Sequence, residues 1–518
     1  MALPLTGTAG SYSPVHAGAY DLSGALYDYA AVPGLIAATQ PLGFGSWRLG
    51  LGRWEIGSEG FLSVPGAGGP MACPPPPFPM QMSTHANLDA LLAERDYFQL
   101  TVDHGNNGVV DQADLDEPLN YHFQYLDAVL DQAQAFGVEP FLNIDIVPRV
   151  LASRAAPVVV TCDNTFRNGV STGPPADNNV YAYTIIRVLQ HVLEGWPNNT
   201  PPRALRYVEL GNEPDFLDYF WGGTQAQFFA WYTTVASVLS QARALTPANS
   251  PWRTLQIGGG SFALAAGQAG SWIPAFLTHL DANPAAPLDF LTFHSYKDNG
   301  PVVLVDMFQT FAELKTNAVH AGRYLNTAMM LTEWGPDLSR LGDATFNLSM
   351  DAPLVHAYAL AGAHALRFAM THKTFFYNYL YSPALGPAFT YGSITHGVTR
   401  TPNAEVYDLF NQFYTATPRM VDTPATLPVG GALEGIAVAG LSTDGTVLQM
   451  VAVNTLPEPR TLSLTFSSGA GFAPTTLTAT MLAGAPPALT VGPSLPINRA
   501  SGVQHVLPPR SVMLLRMQ

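Results

Sequence analysis

Two glutamates end predicted β-strands inside unusual local sequences. Glu213 lies in the run Tyr-Val-Glu-Leu-Gly-Asn-Glu-Pro, and Glu333 lies in Met-Met-Leu-Thr-Glu-Trp-Gly. Two facing carboxyl groups can cleave a glycosidic bond, because one protonates the leaving oxygen while the other attacks or stabilises the oxocarbenium-like carbon. A simpler interpretation of Asn-Glu-Pro is a helix start, with Asn212 as N-cap and Pro214 in the first turn. The second strand-end glutamate favours the catalytic interpretation.

These glutamates can meet only if their strands share one barrel. From about residue 40 to 415, short runs of Val, Ile, Phe and Leu alternate with stretches of helical period, as in parallel strands joined by crossover helices. The pattern predicts an α/β fold, a (β/α)8 TIM barrel with its chemistry at the C-terminal ends of the strands. Glu213 and Glu333 then end strands four and seven. The eight strands are predicted to begin near Gly43, Tyr97, Glu139, Leu205, Thr254, Leu288, Ala328 and Thr374.

The helical period disappears after about residue 420. Runs such as VLQMVAV, RTLSLTF and SVMLLRM follow one another with turn signals between them, which predicts a small antiparallel β-sandwich. We therefore divide the chain into an N-terminal segment 1–39, a catalytic barrel 40–418 and a β-sandwich 419–518. The N-terminal segment is rich in Gly and Ala and could add a strand to the sandwich.

Charge and composition exclude several classes of partner. The 518 residues carry 38 acidic against 23 basic side chains, a net charge of -15, without any Lys/Arg cluster. Nucleic acid is therefore not an expected partner. No run of about 18 apolar residues suggests a membrane span. We expect a soluble protein, with a secreted or periplasmic location favoured over the cytoplasm, and the sequence predicts no oligomeric state.

The sequence gives no sign of a metal or a cofactor. Its 13 histidines contain no H-E-x-x-H or similar ligand spacing, and no phosphate-binding loop of the Walker type is present. Cys73 and Cys162 lie in two long loops predicted to leave the same barrel face, so one disulfide between them is an open alternative to two free thiols. We expect no metal and no cofactor.

The motifs together resemble a known enzyme family. Asn212-Glu213-Pro214 with Glu333 is similar to clan A of the glycoside hydrolases. Longer stretches resemble family 39, the β-xylosidases and α-L-iduronidases, and these stretches are residues 121–127, 137–141, 148–153, 258–259, 288–290, 294–296 and 331–334. The resemblance covers most of residues 40–415, and the C-terminal sandwich fits the architecture of that family.

The resemblance implies a role for each matching residue. Glu213 would be the general acid/base and Glu333 the nucleophile of a retaining double displacement, with Asn212 on the sugar 2-hydroxyl. Arg48, at the end of the first predicted strand, would hold the nucleophile ionised. Further positions are expected to line the sugar site, with a packing role as the alternative for the aromatic ones: Asn143, Asp145, Trp221, His294, Tyr296 and Trp334.

Departures from the family pattern leave the sugar open. Gly211 and Asp215 flank the Asn-Glu-Pro motif where the family has Trp and Asn, and Asn143 stands where it has Glu. We therefore expect a retaining hydrolase of a β-glycosidic bond, first a β-xylosidase-like enzyme acting on a glycoside or oligosaccharide. Its alternatives are a family-39-like hydrolase of a uronide, arabinoside, glucoside or internal polysaccharide bond, or a transglycosylase.

Two further alternatives belong to other classes. The segment Gly-Gly-Ser-Phe-Ala at residues 259–263 is one residue away from the G-x-S-x-G nucleophile elbow of serine esterases, with Ser261 as nucleophile. A sugar-binding protein that has lost catalysis is the other, but both carboxylates are present, so no residue supports it.

Overall fold

Eight parallel strands close into a barrel in the computed structural model of the chain, which confirms the predicted α/β barrel fold. In chain order they are β1 (Val15–Tyr20), β2 (Phe44–Leu51), β3 (Glu139–Ile144), β4 (Tyr207–Leu210), β5 (Gln256–Phe262), β6 (Phe290–Tyr296), β7 (Ala328–Gly335) and β8 (Lys373–Tyr377). Each strand pairs in parallel with its neighbours, and β1 closes the ring between β8 and β2.

The structure describes only part of the chain. Apart from shorter pieces, the described residues are 15–20, 40–51, 123–144, 173–197, 200–216, 220–297, 300–335, 344–365, 373–377, 399–421, 435–464, 472–498 and 502–518. Cys73, Cys162 and Asp145 lie outside them, as does the predicted strand at Tyr97.

The first barrel strand comes from the N-terminal segment, which corrects the suggestion that this segment adds to the sandwich. Val15–Tyr20 pairs with β2 and β8, and β2 pairs directly with β3 from Ser46 to Leu51. The strand that carries Arg48 is therefore the second in the ring. Strands β4 and β7 keep the fourth and seventh places that the sequence predicts for Glu213 and Glu333.

Helices join the strands on the outside of the barrel. They are α1 (Gln124–Phe136), α2 (Asn178–Glu194), α3 (Gln225–Leu245), α4 (Ile273–Ala282), α5 (Gly300–Thr316), α6 (Ala344–Asn347), α7 (Asp351–Ala365) and α8 (Pro402–Ala416). Local sequence fixes several helix ends. Asp177 caps the start of α2 through the Asn179 and Val180 amides, and Thr224 forms a capping box with Gln227 at α3. Gly137 ends α1 in the left-handed conformation that glycine adopts without strain.

Antiparallel strands follow the barrel, in agreement with the predicted β-sandwich. They are β9 (Arg419–Val421), β10 (Gly435–Leu441), β11 (Leu448–Asn454), β12 (Arg460–Leu464), β13 (Thr476–Ala483), β14 (Ala488–Val491), β15 (Val503–Leu507) and β16 (Ser511–Met517). The main sheet has the order β9-β10-β11-β16-β13-β14, and β12 pairs with β15. The domain boundaries stay predictions.

The main sheet is buried on both faces. Successive side chains of each strand point to opposite faces of the sheet. On one face, residues such as Val438 and Val451 join the barrel core, and on the other face Met450 and Leu515 pack with Leu462 of β12 in a second core. Helices α7 and α8 lie between the sheet and the barrel strands. Among the described helices, none is both long enough and apolar enough to cross a bilayer.

Candidate active site

The two glutamates that the sequence singles out meet at the C-terminal end of the barrel. A carboxylate oxygen of Glu213, one of Glu333 and a ring nitrogen of His294 all lie within 4.8 Å of one another. The Nδ1 atom of His294 is 2.6 Å from Glu213 Oε1 and 3.6 Å from Glu333 Oε2. This separation is close to the roughly 5 Å of retaining glycosidases and well below the roughly 6.5–9.5 Å of inverting ones.

Arg48 of β2 connects the site to three other strands. Its Nη1 donates to Glu333 Oε1 at 2.6 Å, and its Nη2 donates to Asn212 Oδ1 and to Ser261 Oγ, both at 2.9 Å. The arginine is 4% exposed and Glu333 is 2% exposed. In such a dry site an ionised carboxylate needs a paired cation, and Arg48 lies where it can pair with Glu333.

Glu209 is a charged residue of the site that the sequence reasoning missed. It is fully buried in β4, and its Oε2 accepts from Arg48 Nε at 2.5 Å and from Asn143 Nδ2 at 2.8 Å. Asn143 also donates to the Gly211 carbonyl at 2.8 Å. Asn143 is thus part of a buried layer that supports Arg48, although the sequence places it on the sugar. A signal was available, since Glu209 is a carboxylate in the otherwise uncharged strand Tyr-Val-Glu-Leu.

The backbone around the acid/base candidate is held in an unusual conformation. Glu213 and Ser261 both have positive φ angles, 42° and 44°, and the Glu213 amide donates to the Ser261 carbonyl at 2.7 Å. Left-handed backbone costs a non-glycine residue roughly 1 kcal/mol or more and clusters at functional sites. Gly211 has φ 92°, and a side chain there would run into the Phe228 ring, which explains why this chain has no Trp before Asn-Glu-Pro.

The Asn-Glu-Pro segment does not start a helix in the described residues. Residues 214–216 form a turn closed by the Phe216 amide on the Glu213 carbonyl at 3.0 Å. The side-chain oxygen of Asn212 accepts from Arg48, not from a helix amide. Its Nδ2 is buried and has no hydrogen-bond partner among the described residues. The N-cap interpretation of Asn212 is therefore wrong.

Strand β6 brings two further predicted residues to the carboxylates. The Tyr296 hydroxyl donates to Glu333 Oε2 at 2.7 Å. His294 is 1% exposed and lies between Glu213 on one side and Ser261 Oγ, 2.7 Å from its Nε2, on the other. With Arg48 on Oε1 and Tyr296 on Oε2, both oxygens of Glu333 accept a hydrogen bond.

Trp334 is not available to stack on a sugar, which corrects that expectation. Successive side chains on a strand point to opposite faces, so with Glu333 in the barrel interior Trp334 points outward. It is 0% exposed and its ring lies 5.1 Å from the ring of His356 on α7. Trp221 packs against Phe228 and borders a small cavity next to Asn212, so its contact with a sugar stays a prediction.

The esterase alternative fails on access. Ser261 is 0% exposed, and its hydroxyl is enclosed by Arg48, Asn212 and His294. A nucleophilic serine must reach its substrate, and this one lies beneath the carboxylates.

Asp215 follows the acid/base candidate and anchors the next loop. Its Oδ1 accepts from the Ala263 amide at 2.7 Å, just after β5. Burial raises the pKa of Asp215 to about 6, and the nearby Glu213 carboxylate contributes to the rise. This hydrogen bond connects the turn that carries Glu213 to the turn that carries Ser261. Asp215 therefore positions these two turns, at a place where family 39 usually has Asn.

Comparisons with known proteins agree with the geometry. Residues 105–326 match the model of Glycosyl hydrolases family 39. Over 196 residues the chain is 26% identical to a beta-xylosidase of Geobacillus stearothermophilus, covering 38% of this chain and 34% of that protein. It is 25% identical over 178 residues to a beta-xylosidase of Caldicellulosiruptor saccharolyticus, covering 34% of this chain and 32% of that protein. The matches span about a third of these curated relatives.

Solved structures with the same fold are also glycosidases by their descriptions. A monomeric beta-xylosidase from Caulobacter crescentus CB15 superposes with a TM-score of 0.61 at 15% identity, covering 100% of this chain and 99% of that one. An alpha-L-arabinofuranosidase from Thermotoga maritima gives a TM-score of 0.61 at 12% identity, with 100% and 99% covered. At these identities the likeness shows the fold alone.

Proposed function

We propose that the chain is a retaining glycoside hydrolase of family 39, the family whose model matches residues 105–326. The observation that carries the proposal is the approach of Glu213 and Glu333 to within 4.8 Å, together with the pairing of Glu333 to Arg48 at 2.6 Å. The short separation leaves no room for the water that an inverting enzyme places between its carboxyl groups.

In the first step Glu333 attacks the anomeric carbon. The bond from that carbon to the leaving oxygen breaks while the proton of Glu213 moves to the oxygen, and a glycosyl ester on Glu333 forms. Arg48 and Tyr296 hold the carboxylate in one orientation, which limits the motion it must lose in the transition state.

In the second step Glu213 acts as a base. Formation of the ester removes the negative charge of Glu333, which makes ionisation of Glu213 easier. The ionised Glu213 takes a proton from a water molecule while the oxygen of that water attacks the anomeric carbon. The bond between that carbon and Glu333 breaks, and Glu333 leaves as a carboxylate. Two displacements at the same carbon restore the original configuration.

Asn212 is assigned to the sugar 2-hydroxyl. Its oxygen is occupied by Arg48, while its buried Nδ2 keeps a hydrogen to donate. A hydrogen bond at the 2-position strengthens as the oxocarbenium-like charge develops, so it contributes most in the transition state.

A β-xylosidase-like activity is the first substrate assignment. The curated relatives support it, since both are described as beta-xylosidases. A β-linked glucoside, arabinoside or uronide, an internal polysaccharide bond, and transfer to a sugar acceptor are the alternatives to be measured against it.

The test is a panel of aryl glycosides and oligosaccharides assayed with wild type, Glu333→Ala and Glu313→Ala. Glu313 lies on α5, where it accepts from Asn317, so its loss should leave turnover within about twofold. We expect Glu333→Ala to lower kcat by ~10⁴-fold or more on the preferred xyloside. Added methanol or xylose distinguishes transfer from hydrolysis by the products. Full activity of Glu333→Ala would exclude the proposed nucleophile.

A further inference from the structure

The fully buried hydroxyl of Ser261 lies between two groups of the active site. Its Oγ is 2.9 Å from Arg48 Nη2, 2.7 Å from His294 Nε2 and 3.4 Å from Asn212 Oδ1. The mechanism above does not use this hydroxyl, and the sequence reasoning considered it only as an esterase nucleophile.

Counting hydrogens decides what the hydroxyl does. A guanidinium can only donate, so Ser261 Oγ accepts from Arg48. The single proton of the serine then goes to one of two acceptors, and His294 Nε2 is 0.7 Å nearer than Asn212 Oδ1, which already accepts from Arg48 (3.4 against 2.7 Å). The adjacent guanidinium polarises the serine hydroxyl and makes it a better donor.

We propose that Ser261 is a positioning residue that fixes His294 as the neutral tautomer with its proton on Nδ1, and so presents one permanent donor to Glu213. The proposal deepens the function proposed above and rests on Glu213 being the acid/base. Because Nε2 accepts from the serine, the ring proton lies on Nδ1, which is 2.6 Å from Glu213 Oε1.

The donor assigns different tasks to the two oxygens of Glu213. Oε1 accepts from His294, so the acidic proton is carried by Oε2, which gives it to the leaving oxygen and later recovers one from water. His294 keeps its own proton through both steps. Its hydrogen bond is stronger to the ionised carboxylate than to the neutral acid, so it favours the base form that the second step requires.

The backbone closes this arrangement into a loop. Glu213 contacts His294 through its side chain, His294 contacts Ser261, and the Ser261 carbonyl accepts from the Glu213 amide at 2.7 Å. The Thr292 hydroxyl, two residues before His294, accepts from the Ser261 amide at 2.8 Å. The left-handed conformation of both Glu213 and Ser261 is what allows these contacts at once.

Among the described residues, the other charged groups near Glu213 are Glu333 of β7, Asp215 of its own turn and Arg48 of β2, which pairs with Glu333. Tyr296 of β6 donates to Glu333. None of them contacts both His294 nitrogens, so loss of the Ser261 hydroxyl removes the tautomer constraint and leaves these charges in place.

The first test is direct observation of the ring by ¹⁵N NMR of histidine-labelled full-length protein, with His294→Gln used to assign the signal. We expect the wild-type spectrum to show a neutral ring protonated on Nδ1, and Ser261→Ala to show a mixture of both tautomers. A wild-type ring protonated on Nε2, or doubly protonated at neutral pH, would overturn the proposal even if Ser261→Ala failed to fold.

The second test is the pH dependence of kcat/KM for Ser261→Ala beside Ser46→Ala. Ser46 is an equally buried barrel serine whose hydroxyl donates to the Glu139 carbonyl at 2.8 Å. Ser46→Ala therefore also removes one buried hydroxyl group, but one whose hydrogen bond is to the backbone of β3 and not to His294. We expect Ser261→Ala to lose about tenfold in kcat and to move the alkaline limb up by about one pH unit, with KM unchanged. Ser46→Ala should keep the wild-type limb.

The outcomes separate this proposal from the proposed function. Absence of glycosidase activity together with an Nδ1-protonated ring would reject the function while the tautomer assignment holds. A glycosidase whose Ser261→Ala variant keeps both the wild-type limb and the wild-type tautomer would reject the role of Ser261 alone. Loss of all turnover in Ser261→Ala, with the tautomer unchanged, would also contradict a positioning role.

Discussion

The barrel mouth and the interface between the barrel and the C-terminal sheet bury ionisable groups in opposite ways. At the mouth, Arg48 lies within hydrogen-bond distance of two carboxylates, Glu209 and Glu333. At the interface, α7 carries His356 and His364, both of which are almost completely buried against aromatic rings and the sheet.

Burial lowers the pKa of His356 to about 3 and that of His364 to about 4. Their polar contacts are neutral, the Tyr407 hydroxyl at 3.1 Å and the Ala439 carbonyl at 3.4 Å. The interface therefore keeps its histidines uncharged, while the mouth keeps its charges by pairing them. The difference teaches that this fold retains buried charge where oppositely charged groups pair with each other and avoids it where packing alone is needed.

Removing the shared cation should have the largest effect. Arg48→Met leaves Glu209 and Glu333 buried without their partner, and we expect the free energy of unfolding to fall by about 3–5 kcal/mol and kcat to fall at least ~10³-fold. Urea denaturation and steady-state kinetics measure both.

Arg400→Met is the matched control for Arg48→Met. Arg400 makes a partly exposed pair with Asp408 at 3.0 Å, so its loss should cost less than about 1 kcal/mol. If Arg48→Met and Arg400→Met lost equal free energies of unfolding, the ion pairs at the barrel mouth would be no stronger than a partly exposed ion pair.

Acid should weaken the interface between the barrel and the C-terminal sheet. The folded pKa of His364 is lowered below its ordinary 6.5, so its contribution to stability is complete above about pH 6.5 and is lost as pH falls from there toward about 4. Between pH 7 and 5 this single histidine accounts for about 2 kcal/mol.

His364→Phe tests this contribution, since a phenyl ring can stack on Tyr414 as the imidazole does. We expect its unfolding free energy to vary less with pH than that of wild type, by about 2 kcal/mol between pH 7 and 5. Comparison at pH 8 controls for packing. An unchanged pH dependence would mean that His364 is charged or exposed in the native state.

A smaller effect is expected for Glu209→Gln, which keeps the shape of the side chain and removes its charge. Among the described residues Glu333 then remains as the anionic partner of Arg48, the bond from Arg48 loses its anionic acceptor and the bond from Asn143 becomes an ordinary one, so we expect a loss of about 1 kcal/mol and a severalfold lower kcat.

Glu194→Gln provides the comparison for Glu209→Gln, because Glu194 accepts from the neutral Trp252 Nε1 at 2.7 Å. Its kcat should equal that of wild type. If the Glu209→Gln enzyme kept the wild-type kcat and stability, the negative charge of Glu209 would not be needed to hold Arg48 in place.

The sequence was sufficient for residues whose signal is local. Asn212-Glu213-Pro214 and the strand-end Glu333 are recognisable from residue type and spacing, and the alternation of strands and helices then predicts where they meet. Arg48 was singled out by the resemblance to family 39, and the structure pairs it with Glu333 at 2.6 Å.

Register between distant strands was not readable from the sequence. Ser261 and Glu209 reach Arg48 because the parallel registers from β2 through β3 and β4 to β5 place the three side chains at matching heights, which no local pattern encodes. The N-terminal strand was missed because Val15 and Tyr20 are the strand-favouring residues of Val-His-Ala-Gly-Ala-Tyr, and Ala and Gly are depleted in strands. Trp334 was misplaced because adjacency in sequence to Glu333 puts it on the opposite face.

The stereochemistry of the first product tests the central claim most directly. Proton NMR during the first minutes of hydrolysis of an aryl β-xyloside, or of the best substrate in the panel, distinguishes the two anomers before they equilibrate. Two displacements through Glu333 predict that the sugar is released with the configuration of the substrate. Release of the opposite anomer would contradict the double displacement, even if Glu333 proved essential.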